Sequence, residues 1–180
     1  MKYNKQAKNL IVKKVENSLT NKKSLLRKNF YEILSEQDQT NTKDLGWFDA
    51  PNNTKIVNEI EAFIIEKEIK KFSKIIFLGI GGATITAEIL LNMLPKSNDK
   101  KYKIIDSIDI DELSAITKEI ILEKTLFVVM SKSGSTIEVL SQFNFFWKHF
   151  PSGANYIAIT EPESKLYEHA TKNQFLKIFE

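Results

Sequence analysis

The sequence predicts an α/β fold: a three-layer α-β-α sandwich built on a five-stranded parallel sheet and preceded by N-terminal helices. Three observations carry this. From Lys74 onward, short apolar runs alternate with amphipathic stretches of helical length, the mark of a parallel sheet with helices on both faces. The first run, Lys74–Ile80, is continuous in apolar character and rich in isoleucine, as a strand covered on both faces requires. Glycine- and serine-rich segments follow two of the runs, where strands of such sheets hand over to helices. Right-handed crossovers are then nearly compulsory.

Residues 1–73 read as a helical segment packing on the domain that follows. Leu10, Ile11 and Val15 sit at helical spacing, as do Leu25, Leu26, Phe30 and Leu34. A polar stretch leads to Leu45-Gly46-Trp47-Phe48-Asp49-Ala50-Pro51, an expected ordered loop. Asn53 or Thr54 can cap a helix over about 55–71, with Ile56, Ile60, Phe63 and Ile64 on its buried face. Residues 74–180 form the second domain. The five expected strands are 74–80, 102–108, 125–130, 155–160 and 175–179. The helices between them run to about Met93, from Asp111 to about Leu122, from Ser135 to about Phe150, and from Ser164 to about Lys172.

Composition narrows the function classes. The chain has 180 residues and a formal net charge of +3, with its lysines scattered rather than gathered in a stripe, so nucleic acid is not an expected partner. There is no cysteine, hence no disulfide, thiol nucleophile or thiolate metal site, which fits a cytoplasmic protein. The N-terminus lacks the apolar core of a signal peptide. Residues 75–94 approach the length of a membrane span, but Gly79, Gly81 and Gly82 lie in the middle and Glu88 and Asn92 follow. A strand, a glycine turn and a helix explain them better, and no membrane partner is expected.

Two motifs fall at expected strand ends. Gly79-Ile80-Gly81-Gly82-Ala83-Thr84 lets the backbone turn tightly and approach a ligand, with a helix N-terminus behind it. By itself this motif suits a phosphate ligand, a dinucleotide or no ligand. Asp106 stands about 20 residues on, where a ribose-binding acid belongs, but Thr84 occupies the third glycine position of the dinucleotide pattern. The second motif, Ser131-Lys132-Ser133-Gly134-Ser135-Thr136, is more telling. Four hydroxyls, an ammonium and a glycine gather where a helix begins, and each suits a phosphate dianion. It is not a Walker loop, which needs Gly-Lys-Ser/Thr at its end. Read more plainly, it is a Ser/Thr-rich loop with Ser135 as the helix cap.

Together with Ile159-Thr160-Glu161 and Ser164-x-Leu166, these motifs resemble the sugar isomerase (SIS) domain, and with the tryptophan loop at 45–51 they resemble the bacterial glucose-6-phosphate isomerase family. The resemblance implies an SIS-type sheet with flavodoxin-like winding. It implies that Ser131, Lys132, Ser133 and Thr136 hold the phosphate of a phosphosugar while the Gly81-Gly82 turn approaches the sugar. Ala83 and Ser135 complete the expected set. The family usually has serine where this chain has Ala83, which puts a side-chain contact there in doubt. The family interconverts glucose 6-phosphate and fructose 6-phosphate, without a cofactor or metal, as a homodimer. It does so through ring opening and an enediol, using a glutamate, a histidine, a lysine and an arginine from the second half of its chain. No catalytic residue is therefore expected within these 180 residues, which read as an N-terminal part that is inactive alone.

A stand-alone phosphosugar sensor is the reading from another class, but the N-terminal helices carry no evident basic recognition helix. His149 and His169 form no metal pattern. Asp106, Asp109 and Asp111 read as a strand-end loop with a helix cap rather than a Mg²⁺ site. The helix carrying Val139, Leu140, Phe143, Phe146, Trp147 and Phe150 has an apolar stripe wider than one sheet contact needs. It suits packing under the N-terminal helices, or a covering partner.

Overall fold

The computed structural model describes residues 53–93 and 101–180. The expected helices around Leu10–Val15 and Leu25–Leu34 and the loop 45–51 lie outside the described residues. One compact unit runs from Ile60 to Glu180.

Helix α1 (Thr54–Glu66) starts where the Ile56 N–H donates to Asn53 Oδ1 at 3.2 Å, the expected cap. It stops five residues short of the expected end. Glu68 adopts a left-handed φ of 49°, and a separate 3-10 turn, Ile69–Lys71, follows. The break turns the chain so that Ile69 and Phe72 join Phe63 in the interior. Phe63, Ile69 and Phe72 are buried, whereas Ile60 and Ile64 remain 37% and 42% exposed.

The five strands are β1 (Lys74–Leu78), β2 (Tyr102–Ile105), β3 (Thr125–Met130), β4 (Tyr156–Ile159) and β5 (Lys177–Phe179). All neighbours pair in parallel, in the order β2-β1-β3-β4-β5. This is the five-stranded parallel sheet and the winding that the sequence predicts. Four helices connect the strands: α2 (Gly82–Asn92), α3 (Ile110–Glu119), α4 (Ile137–His149) and α5 (Lys165–Lys172). Some strands are shorter than their apolar runs. At β5, Phe175 N–H bonds back to Ala170 O and closes the turn after α5, Leu176 N–H is shared between Gly153 O and Tyr156 O at the start of β4, and the ladder begins only at Lys177.

Alternate side chains of each strand feed two cores. On one face, Ile76, Leu78, Phe127, Val129, Tyr156 and Ala158 pack against residues of α3, α4 and α5, including Leu113, Ile116, Val139, Phe143, Phe146 and Leu166. On the other, Ile75, Leu126, Val128, Met130 and Ile157 pack with Phe63, Ile69 and Phe72, and with Ala83 and Ala87 of α2. Handedness explains the partition. The chain moves one way from β1 to β2 and the opposite way at every later crossover, so right-handed connections place α2 on one face and α3 to α5 on the other. Residues 75–92 are divided between β1, the glycine turn and α2, and no helix among the described residues is long and apolar enough to cross a membrane.

Much of the wide apolar stripe of α4 packs within this unit. Phe143 and Phe146 lie on the sheet beside Tyr156 and Phe127 (ring centroids 5.7 and 4.9 Å), and Trp147 packs on Tyr156 and Phe175 at 5.2 and 5.9 Å. Two ridges are needed because α4 sits over the sheet and against the turn that leads to β5.

Burial also acts on Tyr156. Its ring is fully covered, its hydroxyl donates to Phe150 O at 3.2 Å, and burial pushes its pKa well above the ordinary 10.0. The fold favours the neutral phenol. The contribution is therefore fully present below the unfolded value and is lost as pH rises beyond about 10. Urea midpoints should hold up to that pH and fall above it. In Tyr156→Phe this part of the alkaline decline should disappear, for about 1 kcal/mol of lost hydrogen bonding at neutral pH. An unchanged alkaline decline in the variant would remove Tyr156 as its source.

Candidate phosphate-binding site

Strands β1 and β3 are neighbours, with Leu78 opposite Val129, but the chain leaves them in opposite directions, β1 toward β2 and β3 toward β4. The turns at their carboxyl ends diverge, and in open α/β sheets this switch point is where ligands bind. The two motifs singled out in the sequence are these two turns.

The turn after β3 is a compact hydroxyl cluster. Ser131 is 5% exposed and its Oγ donates to Thr136 Oγ1 at 3.1 Å. Thr136 Oγ1 lies 3.5 Å from Ser133 Oγ, which accepts from the Ser135 hydroxyl at 3.1 Å and the Ser135 N–H at 3.3 Å. All four hydroxyls thus form one connected set. Helix α4 begins immediately after it. Thr136, not Ser135, is the N-cap residue, and its side chain makes no capping bond. The helix starts one residue later than Ser135, whose hydroxyl donates to Ser133 Oγ, and with no side-chain cap the first-turn N–H groups of α4 are left for an outside acceptor. An anion there meets the positive end of the helix dipole.

The loop is fastened from behind by the turn after β4. The carbonyl of Lys132 accepts from Glu161 N–H at 3.0 Å and from the Thr160 hydroxyl at 3.4 Å, and Leu166 N–H donates to Gly134 O at 3.1 Å. Thr160 Oγ1 and Ser164 Oγ are 2.8 Å apart, and Ser164 caps α5 through the N–H of Tyr167. Gly134 has φ +61° and lies flat on this brace: a Cβ there would be 2.2 Å from Ser164 Oγ. The Lys132 ammonium is highly exposed and stands 3.6 Å from Glu161 Oε1. An exposed pair of this kind holds by about 1 kcal/mol at most, so the ammonium can turn to an anion.

The turn after β1 is shaped by backbone. Gly81 takes φ 63°, ψ −131°, and caps α2 without a side chain. Gly79 packs where β1 and β3 nearly touch: a Cβ would come 3.1 Å from Thr84 Cγ2 and 3.4 Å from Met130 O. Gly82 has open space around it. Thr84, which breaks the dinucleotide pattern, is buried and donates its hydroxyl to Gly81 O at 2.9 Å, so it locks the turn. Ala83 packs on the apolar core, and its methyl group faces that core rather than offering a polar contact.

Three contributors are not among the site residues that the sequence points to. Thr160 and Ser164 form the brace, and Gln142 of α4 is fully buried, with its amide reaching Gly79 O, Ile105 O and Ser107 O at 3.1–3.3 Å. Its only sequence signal is a polar residue inside the apolar stripe of α4. Asp109 caps α3 by accepting from Asp111 N–H (2.8 Å) and Glu112 N–H (3.4 Å), as expected of that cluster, and Asp106 is exposed after β2. No group of metal-ligating side chains occurs among the described residues. His149 bonds Phe145 O within α4, and His169 of α5 packs edge-on against Phe143 of α4, both packing contacts rather than ligand positions.

The phosphoglucose isomerase family model matches residues 55–150. Glucose-6-phosphate isomerase of Campylobacter jejuni is 31% identical over 150 residues, covering 79% of this chain and 36% of the relative. A crystal structure of a glucose-6-phosphate isomerase from Chlamydia trachomatis is similar at TM-score 0.60 and 26% identity, over 79% of this chain and 28% of that one. A hypothetical protein of Thermus thermophilus shares the fold at TM-score 0.70, with 22% identity, over 91% of this chain and 40% of that one. The chain spans about a third of the length of the Campylobacter relative.

Proposed function

The chain belongs to the phosphoglucose isomerase family, and from that premise we propose that it is the phosphosugar-holding part of a glucose-6-phosphate isomerase, with residues 74–180 as the binding domain. Ser131, Lys132, Ser133, Ser135 and Thr136 hold the phosphate, and the Gly81-Gly82-Ala83 turn lies against the sugar through its backbone. The observation that carries this reading is the connected hydroxyl cluster at the open N-terminus of α4, beside a lysine held only by an exposed ion pair. Hydroxyls, helix N–H groups and an ammonium are the donors that a phosphate dianion needs.

Such a cradle grips the end of the sugar remote from the reacting carbons. It binds substrate and transition state alike, which lowers KM without lowering the barrier from the bound state. Moving a proton between two carbons needs a positioned base, and we assign that base to a part of the enzyme outside this chain. The whole enzyme would work as a cytoplasmic homodimer, with a small phosphosugar as its partner and without nucleic acid, membrane, cofactor or metal.

Calorimetry with glucose 6-phosphate and with inorganic phosphate tests the reading. Both should bind the chain. Lys132→Ala removes one charge-assisted contact, worth about 1.5–3 kcal/mol, and both affinities should fall roughly ten- to a hundredfold. Equal affinities in wild type and variant would sink the cradle assignment.

A further inference from the structure

Among the described residues, Gln142 is the one fully buried polar side chain at the switch point that neither turn contains. It sits on α4, one and a half turns beyond the cradle, in a row with Val139, Phe143 and Phe146 that faces the sheet. Its Nε2 donates to Gly79 O at 3.2 Å, Ile105 O at 3.3 Å and Ser107 O at 3.1 Å. The first acceptor is the residue at which β1 leaves the ladder for the glycine turn. The second already accepts the Gly79 N–H at 3.2 Å. The third opens the loop to α3, where Ser107 Oγ in turn accepts from Asp109 N–H. Its Oε1 is buried and has no partner among the described residues.

An unpaired buried carbonyl of this kind is costly, and an apolar residue of the same length would avoid it. Its N–H groups in return serve three backbone carbonyls, so the net effect of the amide on stability is small. As a connector it is well placed, because it joins the helix whose first turn forms the phosphate cradle to the strand end that carries the glycine turn. No other side chain among the described residues makes that link; the cradle's remaining bonds run to the turn after β4.

We infer that Gln142 is a positioning residue that sets the spacing between the phosphate cradle and the Gly81-Gly82 turn, and so selects a ligand spanning both, a sugar phosphate, over phosphate alone. This rests on the reading of the cradle given above. Gln142 touches no ligand and acts through the carbonyl of Gly79. Without its donors α4 keeps its own N-terminus and its brace, so phosphate by itself loses nothing. The glycine turn is then free to shift relative to α4, and the sugar end of the ligand loses its fit.

The test compares two probes, inorganic phosphate and glucose 6-phosphate, on the full chain. In Gln142→Met, which keeps length and volume but has no donor, glucose 6-phosphate affinity should fall by about tenfold while phosphate affinity stays within about twofold. A general loosening would lower both together, and that result, or no change in either, overturns the inference. A second measurement uses the unsubstituted chain, in case the variant does not fold. The Gln142 side-chain amide resonances should move on adding glucose 6-phosphate and stay in place with saturating phosphate. Resonances that move equally with both probes, or with neither, also overturn it. Failure of phosphate to bind the wild-type chain would instead refute the cradle itself, so the two failures are distinguishable.

Discussion

Gly134→Ala is expected to weaken phosphate binding by about a hundredfold or more and to destabilise the chain by about 2–5 kcal/mol, the combined size of left-handed strain and overpacking. Gly134 sits at φ +61°, where a Cβ is strained in any surroundings. In addition, that Cβ would meet Ser164 Oγ at 2.2 Å, Ser164 Cβ at 2.5 Å and Thr160 Oγ1 at 2.9 Å. Rotating the serine hydroxyl away does not help, because its Cβ is fixed by the backbone at the start of α5. Either α5 or the cradle must move, and the hydrogen bonds of Lys132 O and Gly134 O go with it.

Two other glycines separate the causes. Gly81→Ala keeps the strain (φ +63°) without a clash, and Gly82→Ala has neither a positive φ nor an atom within 4 Å. Losses should therefore rank Gly134 above Gly81 above Gly82, with Gly82→Ala within about 0.5 kcal/mol of wild type. Calorimetric phosphate titrations and urea melts of the three variants check this. A Gly134→Ala protein with wild-type phosphate affinity would mean that the cradle does not depend on the brace.

Phe127→Ala should cost about 3–5 kcal/mol of unfolding free energy, a large part of what a domain of this size holds in total. Phe127 is fully buried on the central strand and contacts Phe146 and Tyr156, each at a centroid distance of 4.9 Å. Deleting the ring opens a cavity between the sheet and α4 that neither neighbour can fill without leaving its own contacts. Urea denaturation gives the result as a lower midpoint at an unchanged slope. Ile65→Ala is the control, at a site 77% exposed, and should stay within about 0.5 kcal/mol of wild type. A loss below about 1 kcal/mol at Phe127 would contradict the packing around the middle of the sheet.

Much of this architecture is legible in the residues. In the all-buried run Thr125–Met130 a β-branched threonine leads five consecutive apolar residues, so β3 is found to the residue. The ends of other elements are less legible because they depend on partners. Strand β2 stops at Ile105, short of the expected Ile108, since the polar Asp106-Ser107 follows and β1 offers no residue beyond Leu78 to pair with. Helix α1 stops at Glu66 although its pattern continues, because Ile69 and Phe72 are buried only after the left-handed break at Glu68.

The candidate site divides along the same line. Hydroxyls, a lysine and a glycine crowded at the start of a helix identify the cradle from sequence alone, because every member lies within six residues and the chemistry of each is local. The sequence also places the glycine turn at the end of a strand. It does not tell that the helix starts after Thr136 with no hydroxyl capping it, which depends on how the hydroxyls of the turn bond to one another. Nor does it point to Gln142, whose acceptors lie 35 to 63 residues away, and although Thr160 and Ser164 stand in motifs that carry the resemblance, it does not tell that they brace the cradle. Those contacts exist only because strand order sets β1 beside β3 and β3 beside β4, so that chain ends far apart in sequence meet at one edge of the sheet. A residue's type declares which bonds it can make, whereas its burial and its partners are properties of the packed layers, and only the tertiary structure supplies them.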